Sequence, residues 1–183
     1  MMNTKFFKRI LSFPIIILLL LLLNGCSTMK LEQFQNNKPV LKLEEYFKGK
    51  TVARGLFEDR FGNVKKTFKV DIVGTWDGKF LILKEDFIYD DGSKEYREWK
   101  LEKIGNNKYQ GFADGVIGLA SGETSGNAFN WKYDFNLQIG TSKYKVNFDD
   151  WMFLQNDGYL INIATVSKFG FTIGKVILFF NKN

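Results

Sequence analysis

The chain contains no histidine and a single cysteine among its 183 residues. Without imidazole there is no Ser-His-Asp triad, no Cys-His pair and no histidine-bound zinc. One cysteine allows no internal disulfide and no multi-thiolate metal site. Catalysis would fall to carboxylates, Lys, Tyr, Ser or Thr, as in carboxylate-based glycosidases. The 26 basic residues outnumber the 20 acidic ones, for a net charge of +6, but they form no cluster that reads as a nucleic-acid footprint. No metal, cofactor or nucleic-acid partner is expected, and no catalytic residue can be nominated.

What is present begins with a basic start and an apolar run. Lys5, Lys8 and Arg9 precede residues Ile10 to Leu23, which are broken only by Ser12 and Pro14. Leu23-Asn24-Gly25-Cys26-Ser27 follows. The pattern resembles a bacterial lipoprotein signal, in which Cys26 is acylated and becomes the first mature residue. An uncleaved transmembrane anchor is the alternative, but the run is short of the ~20 apolar residues that span a bilayer. The lone cysteine is then spent on lipidation and leaves no thiol nucleophile. Three basic residues and no acidic ones lie in the leader, so the mature charge falls from +6 to +3. Ser27 is not the Asp that retains lipoproteins at the inner membrane, so the expected location is the periplasmic face of the outer membrane.

Residues 1–25 are therefore expected to be a signal peptide. Residues 26–48 are expected to hold the acylated Cys26, a tether and a short helical turn built on Leu43, Tyr46 and Phe47. Pro39 marks where the tether meets the fold. Residues 49–183 change to short runs rich in Val, Ile, Thr, Phe, Tyr and Trp, separated by Gly, Asn and Asp clusters. That rhythm predicts an all-β fold, an antiparallel meander of about nine strands closing into a barrel.

Alternation selects the buried face. An Asp77-Gly78 turn would place Ile72 opposite Leu83, Val70 opposite Glu85 and Phe68 opposite Phe87. A three-residue loop at Asp90-Asp91-Gly92 would set Leu83 against Trp99, Leu81 against Leu101 and Glu85 against Arg97. A four-residue loop after Ile139 would bring Phe135 opposite Phe148, Tyr133 opposite Asp150 and Trp131 opposite Met152. Glu85, Arg97, Asp150 and Tyr133 thus emerge as polar groups on an apolar face. They are either satisfied pairs that fix register or the polar part of a ligand cavity. Asp149 and Asp150 point to opposite faces, as strand neighbours must. The glycine-rich stretch from Gly111 to Gly126 reads first as a barrel corner and second as a ligand portal.

Several stretches resemble a family of bacterial lipoproteins carrying the domain of unknown function 3833. Among them are Gly74-Thr75-Trp76-Asp77-Gly78, Arg97-Glu98-Trp99, Asp149-Asp150-Trp151-Met152 and Ser167-Lys168-Phe169-Gly170. The resemblance covers most of residues 45–183 and implies a lipocalin-like barrel. Members of that family are often encoded near membrane-lipid modification enzymes. It brings no catalytic residues with it. The leading expectation is a lipid-anchored barrel that binds a hydrophobic ligand, a fatty acyl group or membrane lipid. A partner-binding lipoprotein using outward Trp151 and Phe153 comes second, and a carboxylate-dependent hydrolase last.

Overall fold

The computed structural model describes residues 29–139 and 141–182. Cys26 and the apolar run before it lie outside the described residues. Ten antiparallel strands form a closed barrel: β1 (Gly49–Asp59), β2 (Val64–Trp76), β3 (Phe80–Tyr89), β4 (Lys94–Lys103), β5 (Lys108–Ala113), β6 (Val116–Ser125), β7 (Ala128–Ile139), β8 (Ser142–Leu154), β9 (Leu160–Lys168) and β10 (Phe171–Lys182). Each strand pairs with its sequence neighbour, and β1 closes on β10 through the register Thr51 to Lys182. Before the barrel come a 3-10 turn (Leu31–Phe34) and a one-turn helix, α1 (Leu43–Tyr46). Alternation does the sorting: Val70 and Ile72 of β2 are 2% exposed while Val73 and Thr75 face water.

There are ten strands, not nine, because residues 108–125 form two. Asp114 and Gly115 make a hairpin turn, with Gly115 at φ 88°, in the stretch read from sequence as a corner. A corner exists too: pairing of β6 with β7 slips between Ile117 and Ser121, where Gly118 sits at φ 74°.

The β3–β4 register is as expected, with Glu85 opposite Arg97 and Leu83 opposite Trp99. Two other hairpins are offset by two residues. Ile72 pairs with Glu85 and Val70 with Phe87, because the turn is centred on Gly78 and Lys79 instead of Asp77 and Gly78. Gly78 takes φ 101°, the conformation a type II′ turn requires at its first central position. Asp77 lies outside the turn, where its Oδ1 accepts the Lys79 and Phe80 amides. Likewise β7 and β8 pair up to Ile139 and Ser142, which leaves two residues between them, not four. Tyr133 therefore faces Phe148, and Asp150 faces Trp131. An offset of two preserves the buried face, which is why the inward residues were read correctly while their partners were not.

One end of the barrel is shut by the chain leading into it. Leu41, Leu43 and Phe47 are at most 3% exposed and join the core. Burial at this level stabilises by about 1.5–3 kcal/mol per side chain. Polar contacts fix the plug in place. Glu44 accepts hydrogen bonds from Lys103 Nζ at 2.5 Å and the Tyr109 hydroxyl at 2.7 Å. Tyr46 donates to the Phe180 carbonyl at 3.3 Å, and the Leu41 amide donates to the Gly126 carbonyl at 2.8 Å. Phe34 lies outside the barrel against Trp151 and Phe153, with ring centroids 6.1 and 5.3 Å away.

The seat of α1 depends on Gly74, where a Cβ would stand 1.9 Å from the Phe47 carbonyl oxygen. Backbone there cannot yield as a flexible side chain would. Replacing Gly74 by Ala is expected to cost about 1–3 kcal/mol and to lower the urea midpoint of unfolding. A midpoint equal to wild type would show that α1 is not held against β2.

Candidate functional site

The interior is not filled. A cavity of about 910 Å³ runs along the barrel from Leu43 and Phe47 at the plugged end to Lys65, Lys66, Ser93 and Lys94 at the other. The residues at that far end are solvent-exposed, so the cavity has a mouth there. Its walls are mostly aromatic and aliphatic, including Phe68, Phe87, Trp99, Trp131, Met152 and Leu178. Trp99 of β4 meets Trp131 and Tyr133 of β7 edge-on at 5.8 and 5.2 Å, across the barrel interior.

Midway along these walls the structure gathers all four polar residues singled out from the sequence. Glu85, Arg97, Tyr133 and Asp150 all line the cavity. They are enclosed: Asp150 is 6% exposed, and the surface that Glu85 and Tyr133 retain lies on the cavity wall. The pairing differs from the expected one. Arg97 does not salt-bridge Glu85 despite facing it; its Nη2 donates to Glu95 Oε1 at 2.7 Å, two residues back on the same strand face. The Tyr89 hydroxyl donates to the other Glu95 oxygen at 2.7 Å. The guanidinium lies over the rings of Phe87 and Phe135, 5.1 Å from each centroid. Asp150 accepts from Asn162 Nδ2 at 3.1 Å and lies within hydrogen-bonding reach of Tyr133, which is its diagonal neighbour and not its opposite. Glu85 accepts no hydrogen bond from any described residue.

Glu95 and Asn162 are functional neighbours that the sequence reading passed over. Both obey the alternation that found the others: Glu95 lies two residues from Arg97, and Asn162 lies between inward Leu160 and Ala164. Asp149 points outward as expected, to Asn130 Nδ2 at 2.6 Å and Lys132 at 3.5 Å.

Burial dominates the electrostatics. It pushes the Glu85 carboxyl up to about 7, with Asp150 and Glu95 adding to the effect and Arg97 opposing it. Burial likewise raises Asp150 to about 7 against the hydrogen bonds from Asn162 and Tyr133. The Tyr133 hydroxyl is held well above its ordinary value by burial and by the Asp150 charge. For Arg97, burial would lower the value, but Glu85 and Glu95 outweigh it and the group stays charged.

Those shifts have a sign for stability. A carboxyl whose folded value is raised is protonated in the barrel while the unfolded chain has already ionised. Between about pH 4.5 and 7 the unfolded state therefore binds fewer protons, and stability falls as pH rises. Glu85→Gln removes one such group. The variant is expected to match wild type near pH 4 and to exceed it by about 1–3 kcal/mol above pH 7. Denaturant midpoints at the two pH values check this, and a variant less stable at pH 8 would mean that Glu85 is a satisfied structural partner.

The fold recurs elsewhere at low identity. The solved structure of the S-type phycobiliprotein lyase from Guillardia theta is similar, with a TM-score of 0.55 and 8% identity, covering 85% of this chain and 99% of that one. At that identity the likeness is one of fold, a lipocalin-like barrel. No curated protein matches the chain. A family model described as a protein of unknown function (DUF3833) matches residues 20–182, and the chain belongs to that family.

Proposed function

We propose that the protein is a membrane-anchored lipoprotein whose barrel binds one hydrophobic ligand, a fatty acyl chain or a membrane lipid, at the periplasmic face of the outer membrane. The cavity of about 910 Å³ carries the binding part of this reading. Small-molecule pockets run to about 300–1,000 Å³, mostly apolar with a few placed polar groups. Here the apolar wall is continuous and the polar set is compact. Glu85 and Asp150 sit among Phe, Trp and Met side chains, which suits an alkyl chain better than a sugar or peptide. A binding role is favoured over hydrolysis for that reason. The partner-binding alternative relied on Trp151 and Phe153 as a free patch; Phe34 lies on both, which weighs against it.

Anchoring rests on the sequence: the basic start, the apolar run and Leu23-Asn24-Gly25-Cys26. Outer-membrane sorting rests on Ser27.

Native mass spectrometry of the detergent-extracted full chain tests both parts. The expected mass is that of a chain beginning at acylated Cys26 with one non-covalent lipid bound. Glu85→Ala is expected to lose the bound lipid and keep the anchor, whereas Cys26→Ala is expected to lose the acyl mass and leave the membrane fraction. Full-length protein that retains its leader and carries no bound molecule would end the proposal.

A further inference from the structure

The cavity's polar set is unbalanced, and that imbalance speaks to the ligand's head group. Two carboxyls, on Glu85 and Asp150, line its enclosed stretch with a single guanidinium, and a third, on Glu95, lies toward the exposed mouth. Glu95 already neutralises that guanidinium at 2.7 Å, and two aromatic rings lie against its faces. Glu85 then has no hydrogen-bond donor and no cation within 4 Å. Asp150 has only neutral donors, Asn162 and Tyr133. No lysine reaches this depth. The lining lysines Lys65, Lys66 and Lys94 belong to the mouth, and two of them are engaged there, Lys65 with Asp59 at 3.1 Å and Lys66 with Asp91 at 3.5 Å.

We propose that the cavity selects a ligand whose polar head is a positively charged hydrogen-bond donor, a primary ammonium on an alkyl chain, over one ending in carboxylate or phosphate. This rests on the hydrophobic-ligand reading above and adds the head group to it. An anionic head beside Glu85 and Asp150 would bring a further negative charge to a stretch whose one cation, Arg97, already pairs with Glu95, and in a low-dielectric enclosure that repulsion is strong. An ammonium supplies three donors to a site with two under-satisfied carboxyls. Its desolvation is offset by those charges and by the faces of Trp99, Trp131 and Tyr133, which attract cations. The raised carboxyl values fit the same picture. An ammonium, protonated up to about pH 10, arriving beside Glu85 and Asp150 would draw both carboxyls to their ionised form.

Quenching of tryptophan fluorescence by three matched probes at pH 7.5 tests it. The probes are 11-bromoundecylamine, 11-bromoundecanol and 11-bromoundecanoate, added to the full chain in neutral detergent. Trp99 and Trp131 line the cavity, so a bromoalkyl chain inside it quenches them. Saturable quenching by the alcohol would establish chain binding whatever the head. On that basis the amine is expected to bind at least tenfold more tightly than the carboxylate. Glu85→Gln and Asp150→Asn, which keep size and shape, are each expected to narrow that ratio. Carboxylate binding as tight as amine binding would overturn the head-group assignment and leave chain binding intact. Absence of saturable quenching by all three probes would overturn both.

Discussion

Pairing between β1 and β10 is the constraint on which the rest of the structure depends. Once the sheet closes, every inward side chain faces others across a space whose diameter is set by the strand count. About eight strands give an interior that side chains can fill; ten open it further, and the aromatic residues of this chain do not close the gap. The cavity therefore follows from closure at this strand number. Closure also removes the exposed sheet edge, so the backbone needs no cover on its flanks and only the ends remain to be managed.

The plugged end and the middle handle acidic side chains in opposite ways. At the plugged end, burial alone would raise Glu44, but hydrogen bonds from Lys103 and Tyr109 overcome it and hold the carboxyl below its ordinary value. In the middle, burial acts on Glu85 with too little opposition, and the carboxyl rises. Glu44 is a fastening, satisfied by groups brought from β4 and β5. Glu85 is left with unspent acceptor capacity in a place where none would be tolerated for packing alone.

Much of this was legible from the chain. Strict alternation identified the inward face, and the Asp90-Asp91-Gly92 loop fixed the β3–β4 register because its length admits one favoured geometry. Turn placement was the weak point: moving the centre from Asp77-Gly78 to Gly78-Lys79 shifts every cross-strand partner by two while leaving the faces alone. Asp114-Gly115 carries the same hairpin signal as the others, but small residues on both sides masked it. Side-chain pairing was legible least. Arg97 could meet Glu85 across the ladder or Glu95 along its own strand, and only side-chain geometry decides between them. Nothing in a four-residue helix announced that Glu44 would bind Lys103, 59 residues away.

The plug gives the barrel a direction. Leu41, Leu43 and Phe47 close one end, so the cavity is a blind well and not a channel. Whatever enters must pass the rim of Lys65, Lys66, Ser93 and Lys94 and must leave by the same way. A long occupant therefore lies along the barrel axis with one end at the plug and the other at the rim, and the rate of exchange is set at the rim alone.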